Sequence, residues 1–174
     1  ALYYLGVLAE RAGNSSEAEQ LFRRAVDVDP ENLVCPRDWP EKAVRKIYGE
    51  IVDELPEALS SWLSALPVDV DDLPTDTDLV RDGVPISPLV LCTFAGGVPT
   101  EPESEDPTTW FQASPERIKL YRWNLGKCAL DDYELHHELL EAVLWEVMDF
   151  LGLSQEHIQQ LGLNPRVDED PLDV

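Results

Sequence analysis

The sequence predicts an α+β fold, in which an N-terminal helical hairpin precedes a small sheet of about three strands with helices packed on it. Three observations predict this class. The first 30 residues repeat small and apolar side chains at helical spacing on both sides of a short turn. A long amphipathic pattern between residues 131 and 151 predicts a further helix. Short apolar stretches bounded by turn residues are typical of strands, at 68–74, 88–97 and 117–123.

The N-terminal hairpin is predicted from two complementary apolar faces. Their members recur at helical spacing: Leu2, Leu5, Leu8 and Ala9, then Ala18, Leu21, Phe22 and Ala25. Residues 13–15 form the turn between the two helices, and Asp29-Pro30 ends the second one. The small residues lie where two helices must approach each other closely.

Prolines predict the boundaries of the central region. Residues 31–40 form a proline-containing linker. An apolar stripe from about Glu41 to Ala65 predicts a helix, and Pro56 inside it predicts a break near Leu55, because proline cannot donate the helical hydrogen bond. Two polar stretches predict loops, at 75–87 and 98–110.

The C-terminal part carries cap residues at the predicted helix ends. Gly152 is placed to end the long helix, and Ser154 is placed to begin a last short helix through Leu161. Together these boundaries predict three parts: a helical hairpin over 1–34, a domain over 41–163 and an acidic tail over 164–174.

The composition limits the classes of partner that the protein can have. Lys and Arg number 13 against 35 Asp and Glu, which gives a formal net charge of −22. Such a surface repels phosphate backbones and anionic lipids, so we expect no nucleic-acid partner and no membrane partner. No apolar run approaches the roughly 18 residues that cross a bilayer. The acidity is consistent with solubility and with a basic protein partner.

Cysteine usage predicts a cytoplasmic location. Cys35, Cys92 and Cys128 are an odd number, lie far apart and form no C-x-x-C pair, which argues against a zinc knuckle or a disulfide framework. The sequence has no signal-like segment. A start at Ala1, directly in a helical pattern and without methionine, predicts a piece of a longer protein.

The hairpin resembles a tetratricopeptide repeat. The match rests on the small, aromatic and proline positions of that repeat: Leu5-Gly6, Ala9, Ala18, Phe22, Ala25 and Pro30. Leu2 departs from it, since the repeat has an aromatic residue there. Because such repeats bury each other's faces and bind peptides, the resemblance implies a protein or peptide partner at this region. It also implies further repeats upstream, or packing of this hairpin on the following domain.

Residues 45–163 resemble the minimal zincin-like metallopeptidase domain found in bacteria. The likeness rests on four segments in order, "ELPEALSSWLSALPVDVDDLP", "GGVPT", "SPERIKLYR" and "FLGLSQEHIQQLGL". In that family the helix carries His-Glu-x-x-His-x-x-Gly-x-x-Asp. Position by position, Trp145 replaces the first His, Asp149 the second and Gln155 the final Asp, while Glu146 and Gly152 are kept.

The resemblance therefore implies a domain without its metal ligands. An indole offers no lone pair to a cation, and one carboxylate with one amide falls short of the three protein ligands of a catalytic zinc site. We expect no metal cofactor, and Glu146 becomes a vestigial general base. We expect Trp145 to fill the vacated space, and Asp149 to pair with a cation, for which Arg122 on the adjacent strand is the candidate.

Three hypotheses follow. The first is a non-catalytic zincin-like domain fused to tetratricopeptide repeats, acting as a protein-interaction or scaffold module. The second is a metallopeptidase with a rebuilt zinc site, made from Asp149 with Glu146 or from a histidine brought in by folding. The third is a purely structural domain in which Trp145 completes a core.

The histidines offer one more metal-compatible pattern. His137 and Glu141 lie one turn apart, and Glu134 with His137 forms a Glu-x-x-His pair. A di-iron bundle needs a second such pair, which the chain does not contain, since Ser154 stands three residues before His157. We interpret these histidines as belonging to a solvated helix face.

Overall fold

The N-terminal part folds as the predicted helical hairpin. In the computed structural model, which describes residues 1–81, 83–98 and 106–164, helix α1 spans Leu2–Arg11 and helix α2 spans Ser15–Val28. Their interface buries small and aromatic residues: Val7, Ala9, Ala18, Phe22 and Ala25. Leu5 and Leu8, predicted on this interface, are exposed instead, because Gly6, Val7 and Ala9 form the contact face of α1.

The linker packs tightly against the domain. Trp39 is buried, and its indole N–H donates to the Ala129 carbonyl at 3.1 Å. The Arg37 N–H donates to the Gly126 carbonyl at 2.8 Å. A Cβ at Gly126 would overlap the Arg37 carbonyl, so glycine lets the two backbones meet.

The predicted break at Leu55 is present. Helix α3 spans Glu41–Glu54, and helix α4 spans Glu57–Ser64. Leu55 is extended, with ψ of 156°, which is the conformation that a following proline favours. Both helices place their apolar stripes in the main core.

The three predicted strands form one mixed sheet. Strand β1 (Val68–Asp71) pairs in parallel with β5 (Arg117–Tyr121), and β4 (Cys92–Ala95) pairs antiparallel with β5. The order is β1-β5-β4, so β4 lies at an edge. One face of this sheet joins the main core, through Cys92, Phe94, Ile118 and Leu120.

The predicted loop at 75–87 contains a second, two-stranded sheet. Strands β2 (Val80–Arg81) and β3 (Val84–Pro85) pair antiparallel, with Arg81 opposite Val84. Each strand has only two residues, too short for the alternation that identifies a strand in sequence. The predicted loop at 98–110 lies partly outside the described residues, and its end opens a 3₁₀ helix, Pro107–Gln112.

The predicted third strand is shorter than expected. It ends at Tyr121, and Arg122 begins helix α5, which spans Arg122–Cys128 and was not predicted. Helix α6 spans Asp132–Leu151 and ends at Gly152, whose φ of 61° is left-handed, as expected of a glycine cap. Helix α7 spans Gln155–Gln160 and begins with the predicted Ser154 cap, with which His157 completes a capping box.

The hairpin and the domain are joined by polar contacts. The Lys127 ammonium, nearly buried, donates to Glu10 at 2.5 Å, and Arg11 donates to the Pro74 carbonyl at 3.0 Å. Leu89 packs against the hairpin's own apolar cluster. None of the helices in the described part of the chain is long and apolar enough to cross a membrane. The predicted acidic tail spans residues 164–174, and its residues from 165 onward lie outside the described part of the chain.

Candidate functional site

Helix α6 directs Glu146 into the protein toward the edge strand of the sheet. The residue is only 8% exposed, because its position on the helix faces β4. The backbone N–H of Phe94 donates to Glu146 Oε2 at 3.2 Å. The edge strand therefore holds the Glu146 carboxylate in place.

Arg81 from strand β2 bridges this carboxylate and Asp149. Its Nη2 donates to Glu146 Oε1 at 2.6 Å and to Oε2 at 2.8 Å. Its Nη1 donates to Asp149 Oδ2, one turn further along α6. One guanidinium thus serves two carboxylates on the same helix, and we call Glu146 and Asp149 the carboxylate pair.

Burial and charge act against each other at this site. Burial raises the pKa of Glu146, while the Arg81 guanidinium and the Phe94 N–H oppose that rise. Burial also disfavours the charge of Arg81, yet the carboxylate pair outweighs it and raises the pKa of the guanidinium. The buried Cys92 thiol nearby has a pKa raised by burial and by the Glu146 charge. Pairing with Arg81 therefore offsets part of what burial costs the Glu146 carboxylate.

The segment before Arg81 is anchored to the sheet. Asp78, nearly buried, accepts from the Lys119 ammonium of β5 at 2.7 Å and from the Thr75 hydroxyl at 2.7 Å. These hydrogen bonds lower the pKa of Asp78, although burial opposes them. Arg81 is therefore presented to α6 from a segment that is fixed three residues earlier.

The prediction that Arg122 pairs with Asp149 was wrong. Arg122 donates to Asp72 at 2.5 Å and also pairs with Asp38, on the side of the linker. The physical reason is that β5 ends before Arg122, which begins α5 and leaves the sheet. Arg81 fills the role instead. From the sequence alone, the acidic pair on a buried helix indicated that some cation must pair with it, but did not indicate that this cation is Arg81.

Trp145 does not fill an interior space. It is 41% exposed, whereas its neighbour Glu146 is buried, because consecutive helical residues point about 100° apart. The prediction that it replaces the metal ion in the core was therefore wrong. Gln155, the third former ligand position, begins α7 and is half-buried.

The residues present do not fit a zinc ion. Among residues 1–81, 83–98 and 106–164, no group of three or more His, Cys, Asp and Glu side chains is placed to hold a metal. The carboxylate pair is already bonded to Arg81, and Trp145 has no donor atom for a cation. Glu134 accepts from the Leu130 N–H at 2.7 Å, so it caps α6 rather than joining His137.

Comparison with known proteins places the fold in a family. The model of the zincin-like metallopeptidase family matches residues 63–163, which run from the end of α4 to the end of the described chain and include the sheet and α6. No protein in a search of curated sequences matches this chain. The family match covers more than half of the 174 residues. The chain therefore belongs to the zincin-like metallopeptidase family.

Proposed function

We propose that this protein is a non-catalytic member of its family, in which a zincin-like domain attached to a tetratricopeptide-like hairpin acts as a protein-interaction or scaffold module. The observation that carries the proposal is the engagement of both Glu146 and Asp149 by Arg81. Zinc-dependent hydrolysis needs three protein ligands and a glutamate that is free to take a proton from metal-bound water. The contacts of Glu146 and Asp149 with Arg81 argue against both at this helix.

The electrostatics support the same conclusion. A zinc ion at the carboxylate pair would bring two positive charges beside a guanidinium that already bonds to three carboxylate oxygens. Zinc would therefore have to displace Arg81 and then find ligands other than Trp145. Glu146 would still accept from Phe94, which holds its carboxylate against the strand.

The interaction role draws support from the hairpin. A groove of about 510 Å³ lies between α2 and the linker, a volume in the range of small-ligand and peptide-anchor pockets. Its lining includes the aromatic residues Phe22 and Trp123 and charges of both signs, with Arg23 and Asp38 among them. Such a lining suits a peptide segment that brings an apolar anchor and polar flanks.

Family membership favours the alternative, which is peptide-bond hydrolysis with zinc at a rebuilt site. A casein-cleavage assay separates the two, run with added zinc and with a chelator, on the wild type and on Glu146→Gln. We expect no cleavage above the buffer rate in any arm. Cleavage by the wild type that the chelator abolishes, and that Glu146→Gln lacks, would establish the alternative.

A further inference from the structure

We propose that Glu146 and Asp149 form a guanidinium-binding site, in which the Phe94 N–H holds Glu146 and the resident ligand is Arg81 of the same chain. In this site the positive charge of the Arg81 guanidinium balances the two carboxylates, as the charge of a bound metal ion does in a metal-loaded site. The proposal concerns the cation at α6 and does not depend on whether the domain has a protein partner.

The donor and acceptor geometry matches one guanidinium. A planar guanidinium presents its donors in a fixed fork that suits carboxylate oxygens. Here Nη2 is shared between the two oxygens of Glu146, at 2.6 and 2.8 Å, and Nη1 reaches Asp149. The Phe94 N–H fixes Glu146 from the other side at 3.2 Å. A lysine ammonium, which is a point charge, could not make the same set of bonds.

A cation is required at this place by the burial of Glu146. An ionised carboxylate in the interior is costly unless it is paired and hydrogen-bonded. Asp149 adds a second negative charge one turn away, in a chain whose formal net charge is −22. Without Arg81, the two carboxylates would repel each other, and the neutral Phe94 N–H would not balance their charge.

Arg81, which supplies that cation, lies on a segment whose backbone is held by several contacts. Arg11 of the hairpin holds the Pro74 carbonyl at 3.0 Å and the Asp76 carboxylate at 2.7 Å. Asp78 is then tied to Lys119, and Arg81 lies in the β2–β3 ladder opposite Val84. Because its backbone is fixed, Arg81 binds as an intramolecular ligand, with a small entropy cost compared with a free cation.

Chemical rescue tests the proposal. Arg81→Ala should lower the melting temperature by about 5 °C or more, since it leaves a buried carboxylate unpaired. Adding about 20 mM guanidinium chloride should restore several degrees to this variant, whereas an ordinary protein changes by less than about 1 °C at that concentration. The same concentration of sodium chloride is the reference for ionic strength.

The matched control is Arg117→Ala. It removes another arginine–aspartate pair, Arg117 with Asp69 at 2.9 Å, which is more exposed. We expect a fall below about 2 °C and no recovery with guanidinium, because exposed pairs contribute little. Recovery of this control to the same extent would overturn the proposal, since it would show a general salt effect.

A double variant keeps the test decisive if Arg81→Ala does not fold. Arg81→Ala with Glu146→Gln removes both the cation and the buried charge, so it should fold even if the single Arg81→Ala variant does not, and should melt above it if both fold. Arg81→Lys should melt between the wild type and Arg81→Ala. An Arg81→Ala variant within about 2 °C of the wild type, or a double variant less stable than the single one, would overturn the proposal.

Discussion

Trp145 and Glu146 are adjacent in sequence but have opposite surroundings. The indole is 41% exposed, whereas the carboxylate is buried and bonded to Arg81 and Phe94. The difference follows from the rotation of about 100° per residue in an α-helix. Trp145 therefore lies at the surface of this protein and does not fill its core.

This exposure predicts a small cost for removing the indole. Trp145→Ala should lower the free energy of unfolding by less than about 1 kcal/mol, because an exposed side chain leaves no cavity. Trp39→Ala is the matched variant, since Trp39 is buried and hydrogen-bonded to Ala129, and it should cost about 3–5 kcal/mol. Urea unfolding measures both. An equal, large loss in the two variants would place Trp145 in the core, as the structural hypothesis requires.

The carboxylate pair could be identified from the sequence, but its partner could not. Glu146 and Asp149 were found because a helical motif fixes their spacing to one another. Arg81 lies 68 residues before Asp149, in a polar stretch without periodicity. A long-range ion pair leaves no local pattern, so the choice among the arginines depends on topology. Arg122 was the wrong choice because the strand ended one residue before it.

At the scale of elements, the segment between β1 and β4 is held at several points. Arg11 contacts the beginning of this segment, and the Asp78–Lys119 pair fixes its middle. Arg81 attaches the β2–β3 strands to α6. Leu89 near its end packs against the helical hairpin. This segment, of which residues 75–87 were predicted as a loop, therefore connects the helical hairpin, the sheet and the carboxylate pair.

The Asp78 anchor predicts a specific pH dependence. Its pKa is lowered below the ordinary value of 3.8, so its pairing stabilises the fold above that pH and is lost as the pH falls through the lowered pKa. Asp78→Asn should therefore cost about 1–3 kcal/mol at pH 7 and progressively less below about pH 4. Urea unfolding of both proteins across pH 3 to 7 measures the difference. A difference that stays constant over this range would contradict the assigned role.

Local chemistry explains which elements were predictable. The break at Leu55, the glycine end of α6 and the Ser154 start of α7 each depend on one or two residues of known conformational preference. Helix α5 lacks such residues, and the β2–β3 ladder has two-residue strands beside Gly83, whose φ is 79°. They form where tertiary contacts outweigh weak local preference, as between Gly126 and Arg37.

At the scale of the whole molecule, the α+β class was predictable from periodicity alone. The sheet topology was not, since the parallel pairing of β1 with β5 depends on contacts between distant segments. Burial was predicted well for Phe22 and Ala18 and wrongly for Leu5 and Leu8. Ala9, on the same predicted face of α1, is buried as expected.

The nearly buried Lys127–Glu10 pair unites the hairpin with the domain. Burial lowers the pKa of Lys127, and the hydrogen bond and charge of Glu10 oppose that fall. Together with the contact from Arg11 to Pro74, this pair places the hairpin against the segment that carries Arg81. Residues before the predicted boundary near residue 34 therefore contact residues after it directly.

The central claim is that Arg81, and not zinc, is the cation of the carboxylate pair. The metal content of protein purified without chelator, measured by inductively coupled plasma mass spectrometry, tests it most directly. We predict zinc far below one ion per chain, unchanged in Asp149→Ala. One tightly bound zinc per chain in the wild type, lost in Asp149→Ala, would contradict the claim.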